Sequence, residues 1–348
     1  MDHIRKVGVI GEGKMGSGIV LYLVDFPFEL VWVCSEGADM EKTARMVSKR
    51  ARKSLDAGII DRTRFESLQV SPVTQDISLL RDCDLVIEAI PENLEQKRAL
   101  FNRLDKIVKG DAIFTSTSSS INPSEIMPGP ETGRKSAGLH FYYPVQSKDM
   151  AEVTLSASTT DGTLELIGSF LDSVNRTFIT LDEQNSFILN RIFLDFQNAA
   201  FRIVHDGECT YLQMDQLVKE QFFSFGVFDY CDSIGLDIML AAIQRYIQDY
   251  RDQESYAIFT SALARLAGAG KLGVKTREGF YKYPMPDQTP ESPEHAGEIE
   301  EHMRQTWLNA CNRFTSTALV SPELMYYAID EFFGIELSPL DKLLLNFQ

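Results

Sequence analysis

The 348-residue chain has little that would tie it to an oxidising compartment, a membrane or a nucleic acid. Its five cysteines, Cys34, Cys83, Cys209, Cys231 and Cys311, are scattered and form no Cys-x-x-Cys pair. That argues against a disulfide framework and against a zinc site, so they read as reduced, packed thiols and no metal is expected. No apolar run approaches the roughly 20 residues that a membrane-spanning helix needs. Positive charge is in short supply: 34 basic residues face 50 acidic ones, and a net charge of −16 disfavours nucleic acid and anionic membrane surfaces as partners. Room for a leader peptide is also lacking, since strand-like residues begin a few positions after Met1, and a cytoplasmic protein is the expectation.

What is present is an apolar content of 44%, enough for a sizeable core, in a length that suits two domains and a third small piece. The stretch from Lys6 to Val20 reads as a buried strand, a glycine turn and a helix start in immediate succession. Gly11 permits the tight turn, Gly13 leaves room for a pyrophosphate, and Gly16 lets the helix pack closely on the strand. The helix N-terminus offers unpaired N–H groups to the phosphates, so Gly11, Gly13, Lys14, Met15 and Gly16 are candidate dinucleotide contacts. Net charge sets only the far field and does not oppose this local site.

The run Glu29 to Cys34 reads as a second strand, and Met40 to about Ala57 as a helix rich in Lys and Arg. In such units an Asp or Glu ending the second strand usually binds the adenosine ribose. Cys34 stands there instead, with Ser35 and Glu36 as substitutes; no Arg follows to receive a 2′-phosphate, so NAD is expected and NADP stays open. Strands at Asp84–Ile90 and Ala112–Thr115 flank a helix at Asn93–Val108. This alternation predicts an α/β fold, a Rossmann-type doubly wound, mostly parallel sheet. Ligands in such sheets sit at the carboxyl ends of strands, which brings Ala89–Asn93 and Ser116–Ser120 beside the glycine turn. A short strand then delivers His140, and Glu152 follows in the next, where it could orient the ring and stabilise its charged form.

Six motifs in order, Gly11-x-Gly13-x-Met15-Gly16, Ile87 to Lys97, Thr115 to Ser119, Gly138 to Phe141, Phe187 to Arg191 and Gly279 to Tyr283, together resemble the L-3-hydroxyacyl-CoA dehydrogenase family over about the first 285 residues. The resemblance implies His140 as general base, Glu152 as its orienting partner, Ser118 on the substrate oxygen and Asn190 completing the site. It adds Glu92, Lys97 and Ser116 around the cofactor, with Ser116 replacing an Asn common in the family. It also implies an acyl-CoA substrate, fatty acid metabolism and a homodimer built on the helical domain. This chain departs from the pattern at Tyr143, where the family usually has Asn, at Asn185-Ser186 in place of Pro-Gly, and at Ile59 in place of a lysine thought to help hold CoA. Arg62 and Arg64 are the nearby substitutes. A CoA-free hydroxy acid and a non-catalytic, crystallin-like role stand as alternatives.

From Phe187 the pattern turns helical, with Ile188, Ile192, Phe196 and Ala199 at three- and four-residue spacing. The run Phe225 to Asp237 resembles a helix-packing segment of the family around a buried Asp. Pro284 to about Gly297 reads as a solvated linker. At a constant offset of 111 residues, Asn198, Ala199, Arg202, Met214, Glu220 and Phe222 recur as Asn309, Ala310, Arg313, Met325, Glu331 and Phe333, and Leu337–Asp341 stands near the counterpart of Gly226–Asp229. The expected organisation is a dinucleotide-binding domain at 1–184, an all-α substrate and dimerisation domain at 185–284, and a truncated second helical copy at 298–348. That copy either extends a dimer interface or covers the same face within one chain.

Overall fold

A computed structural model describes residues 4–69, 73–248, 250, 252–285, 289–315 and 321–334. The chain divides into two compact units, Met1–Ser186 and Phe187–Gln348. In the first, β1 (Lys6–Ile10), α1 (Lys14–Leu23), β2 (Glu29–Val33), α2 (Met40–Asp56), α3 (Arg62–Gln69), β3 (Val73–Thr74), β4 (Leu85–Glu88), α4 (Leu94–Leu104) and β5 (Ile113–Ser116) follow one another. Then come α5 (Pro123–Ile126), β6 (Lys135–Phe141), β7 (Met150–Leu155), α6 (Asp161–Ser173) and β8 (Thr177–Asp182).

The strands form one sheet in the order β3-β2-β1-β4-β5-β6-β7-β8. Every neighbouring pair is parallel except β6 and β7. Alternate side chains enter opposite cores, as a sheet covered on both faces requires. Val7 and Val9 of β1, Leu30 and Trp32 of β2, and Leu85 and Ile87 of β4 join one cluster with Ile19 and Leu23 of α1. Ile10, Val31, Val33, Val86 and Phe114 join the other, with Phe101 and Leu104 of α4. Burying each such side chain contributes about 1.5–3 kcal/mol, which fixes the register of every strand. The chain leaves β1 towards β2 on one side and returns to β4 on the other, so a crevice opens at the carboxyl ends of β1 and β4.

This is the expected α/β fold, a doubly wound, mostly parallel sheet followed by an all-α unit. The sequence pattern did not reveal the edge strands β3 and β8. Two residues are too few to show a period of two, and β8 alternates only weakly in burial.

The second unit holds α7 (Ile188–His205), α8 (Tyr211–Gln221), α9 (Val227–Ile234), α10 (Leu236–Tyr246), α11 (Ala257–Gly268), α12 (Ala296–Thr315) and α13 (Pro322–Phe333). Two buried aspartates pin its loops. Asp215 accepts from the N–H groups of Phe228 and Asp229 and from the Tyr281 hydroxyl, at 2.8, 2.9 and 2.8 Å. Asp232 accepts from the N–H groups of Phe280 and Tyr281 and from the Tyr283 hydroxyl, at 3.0, 3.0 and 2.9 Å. The repeated residues fall on α7 and α8 in one copy, with Phe222 just past the end of α8, and on α12 and α13 in the other. Phe196 of α7 meets its counterpart Trp307 of α12 edge-on, at 6.1 Å between centroids, and Phe223 and Phe333 pack on the same indole. The segment Leu337–Asp341 lies outside the described residues. The helix α12 begins at Ala296, two residues inside the stretch read as linker. Among the described residues no helix is long and apolar enough to cross a membrane.

Candidate active site

The glycine turn lies at the carboxyl end of β1, and its three glycines differ in what demands them. Gly11 has φ +112, and a Cβ there would run into the Ala89 carbonyl. A Cβ at Gly16 would strike the Gly11 carbonyl. Gly13, at φ −66, sits where any residue could, and a Cβ there meets no atom of the described residues within 4 Å. Nothing among the described residues requires a glycine at that position, so the space it leaves above the N-terminus of α1 fits a group from outside, such as a pyrophosphate. The turn is tied to β2 by the Gly11 N–H on the Val33 carbonyl at 2.9 Å and by the Trp32 indole on the Gly11 carbonyl at 2.8 Å. Lys14 is exposed and Met15 half-buried at the start of α1.

At the ends of β4 and β5 a carboxylate network takes shape. Glu88 closes the apolar strand Leu85–Glu88 and is fully buried, as is Lys97 from the first turns of α4. Lys97 Nζ lies 2.6 Å from Glu88 Oε1, 3.3 Å from the Ile90 carbonyl and 3.4 Å from Glu92 Oε2. Ser116 donates to Glu88 Oε2 at 2.5 Å and accepts from the Ser118 N–H at 3.1 Å. Burial pushes the Glu88 carboxyl above the usual range, opposed chiefly by the charge of Lys97. Glu92 is also desolvated, but Lys97 and the hydroxyls of Ser118 and Ser120 outweigh that and hold it below the usual range. Its Oε1 accepts from the Ser118 hydroxyl at 2.6 Å, the Ser119 N–H at 3.2 Å, and the Ser120 hydroxyl and N–H at 2.7 and 3.0 Å. Lys97 and Ser116 are thus satisfied inside the protein and reach the crevice through Glu88, Glu92 and Ser118.

One strand further, His140 and Glu152 face each other in the antiparallel register of β6 and β7. His140 Nδ1 lies 2.7 Å from Glu152 Oε2, with 9% and 1% of the two residues exposed. Glu152 Oε1 is buried and has no hydrogen-bond partner among the described residues. The Tyr142 ring meets the imidazole edge-on at 5.8 Å. Ser116 pairs with Gly138 across β5 and β6, and Ser118 follows in the loop that leaves β5. A buried carboxylate that accepts the Nδ1 proton leaves Nε2 as an acceptor, the arrangement a proton-abstracting imidazole needs. Asn190 belongs to the helical unit, in the first turn of α7, where its Nδ2 donates to the Tyr246 hydroxyl at 3.1 Å.

Residues 6–184 match the 3-hydroxyacyl-CoA dehydrogenase NAD binding domain, and residues 187–283 match the C-terminal domain of the same enzymes. The chain belongs to the 3-hydroxyacyl-CoA dehydrogenase family. It is an oxidoreductase whose cofactor is NAD. It is 30% identical over 280 residues to a 3-hydroxybutyryl-CoA dehydrogenase of Clostridioides difficile, covering 80% of this chain and 99% of that one. It is 31% identical over 293 residues to a mitochondrial hydroxyacyl-coenzyme A dehydrogenase of Rattus norvegicus, covering 80% and 91%. The crystal structure of (S)-3-hydroxybutyryl-CoA dehydrogenase from Ralstonia eutropha superimposes with a TM-score of 0.70 at 25% identity, over 81% of this chain and all of that one.

Against the family pattern, the two substitutes for the missing lysine behave differently. Arg64 does not serve: its guanidinium turns inward to the carbonyls of Phe28, Val24 and Leu23, at 2.6, 3.3 and 3.4 Å. Arg62 is exposed and pairs with Glu66 at 2.9 Å. Two groups escaped the sequence reading. Glu88 carries the signal of a charge ending an apolar strand. Glu12, inside the glycine turn, binds Ser35 at the end of β2, a link across 23 residues that no local pattern reveals.

Proposed function

We propose that the chain oxidises the 3-hydroxyl of a 3-hydroxyacyl-CoA, or reduces the matching 3-keto thioester, with His140 as the general base. The observation that carries this reading is the 2.7 Å contact between His140 Nδ1 and the buried Glu152 carboxylate. Glu152 holds the ring in the tautomer whose Nε2 takes the hydroxyl proton, and its charge offsets the imidazolium that forms. NAD, held at the glycine turn, would supply the hydride acceptor for the substrate carbon. Ser118 turns its hydroxyl from Glu92 to the substrate oxygen. That exchange is inexpensive, because Glu92 keeps the Ser119 and Ser120 donors and Lys97. Lys97, Glu88 and Ser116 position the loop that carries Ser118, and Gly11, Gly13, Lys14, Met15 and Gly16 receive the pyrophosphate.

A CoA-free hydroxy acid is the second reading, favoured by Ile59, which stands 56% exposed where the family lysine is missing, and by the inward turn of Arg64. Following nicotinamide reduction with a panel of 3-hydroxyacyl-CoAs and free hydroxy acids, each with NAD and with NADP, tests both. Turnover confined to the thioesters supports the first reading, turnover confined to free acids supports the second, and no turnover with any substrate contradicts both.

A further inference from the structure

We propose that Glu12 is the residue that binds the adenosine ribose of the cofactor and sets the preference for NAD over its 2′-phosphorylated form. The inference rests on the NAD-binding role of the first unit and deepens it. In a doubly wound sheet, a carboxylate ending the second strand usually accepts the hydroxyls of this ribose. Here that position is Cys34, a buried thiol pushed up to about 11 by burial and then by the charge of Glu12, so it offers no anion.

Glu12 brings a carboxylate to the same place from the end of the neighbouring strand, β1. It departs from the glycine turn between Gly11 and Gly13, the two residues whose geometry serves the pyrophosphate. Its Oε2 accepts the Ser35 N–H at 3.0 Å and its Oε1 accepts the Ser35 hydroxyl, which anchors the carboxylate just past the end of β2. Both sides of that anchor are fixed. Gln75 Nε2 holds the carbonyls of Ser35 and Glu36 at 2.9 and 3.1 Å, and the Trp32 indole holds the Gly11 carbonyl. A carboxylate has about four lone-pair sites, and the Ser35 hydroxyl, the Ser35 N–H and the N–H of Glu12 itself take up part of them, leaving acceptor capacity for a ribose hydroxyl. The same anion repels a 2′-phosphate, which carries close to two negative charges. Ionisation is secured locally: burial pushes the Glu12 carboxyl up, but the Ser35 hydroxyl and N–H outweigh it and hold it below the usual range.

The test is calorimetric titration of the full-length protein with NADH and with NADPH, repeated on Glu12→Gln and on Ser35→Ala. Glutamine keeps an acceptor for Ser35 and removes the charge. The unsubstituted protein is expected to bind NADH on the order of a hundredfold more tightly than NADPH, and Glu12→Gln to shrink that ratio to about tenfold or less. Ser35→Ala removes the anchoring hydroxyl alone and is expected to keep most of the preference. An unchanged ratio in Glu12→Gln, or an equal weakening of both nucleotides, overturns the inference and leaves the NAD-binding role standing. Absence of binding of either nucleotide to the unsubstituted protein overturns both.

Discussion

Glu152 stands directly across the antiparallel ladder from His140, with Oε2 2.7 Å from Nδ1. Because β7 is clamped between β6 and β8, neither residue can slide without breaking hydrogen bonds on both sides. Glu152→Gln keeps the size of the side chain but can present an N–H to Nδ1, which favours the tautomer with the proton on Nε2. Turnover is expected to fall by on the order of 10² or more, since the acceptor on the substrate side is lost. Steady-state kinetics together with NADH affinity check this, the affinity remaining unchanged.

The glycine turn makes a second prediction because its members are required for different reasons. Gly16→Ala forces a Cβ onto the Gly11 carbonyl and is expected to cost at least about 1–3 kcal/mol of stability. Gly13→Ala meets no atom of the described residues within 4 Å and is expected to leave stability within about 0.5 kcal/mol. Its cost falls on the cofactor instead, with NADH binding weakened by about 1–3 kcal/mol through overpacking. Denaturation curves and calorimetric titration of the two variants separate these outcomes.

The contrast also explains what the sequence could reveal. Gly11, Gly13 and Gly16 are close in the chain and follow an apolar strand, so turn and helix start were legible together. His140 and Glu152 are 12 residues apart on adjacent strands, close enough for the pairing to be anticipated. Glu12 and Ser35, or Glu88 and Ser116, are joined only by the sheet order, which places β1 between β2 and β4 and β4 beside β5. Such long-range contacts depend on topology, and a local pattern does not carry them. Lys97 was placed at the cofactor by resemblance, and only the fold revealed that it is fully buried against Glu88.

Asp215 gives the helical unit a pH dependence of known sign. Burial, its largest cause, raises this carboxyl from 3.8 to about 6; the Asp229 carboxylate, itself paired with Lys219, adds to the rise, and the Phe228 N–H and Tyr281 hydroxyl oppose it. A folded-state value above the unfolded one means that the folded protein holds the proton more tightly. Its stabilising contribution is therefore full below about pH 4 and lost as pH rises to about 6, an effect of up to about 3 kcal/mol. Urea denaturation across this window should give a smaller slope for Asp215→Asn than for the unsubstituted protein. What remains includes Asp232, which burial also raises.

Trp307 decides whether the second helical copy belongs to the core. Its indole packs on Phe196, Phe223 and Phe333 and is only 5% exposed. Trp307→Ala is expected to destabilise the helical unit by about 3–5 kcal/mol. A change within experimental error in chemical denaturation would make the copy an appendage.

The central claim is that His140 takes the substrate proton, and it is tested most directly by the turnover of His140→Ala with a 3-hydroxyacyl-CoA and NAD, with NADH affinity measured on the same preparation. The account predicts turnover lower by about 10²–10⁴ with NADH bound as tightly as before. Turnover close to that of the unsubstituted protein would contradict it.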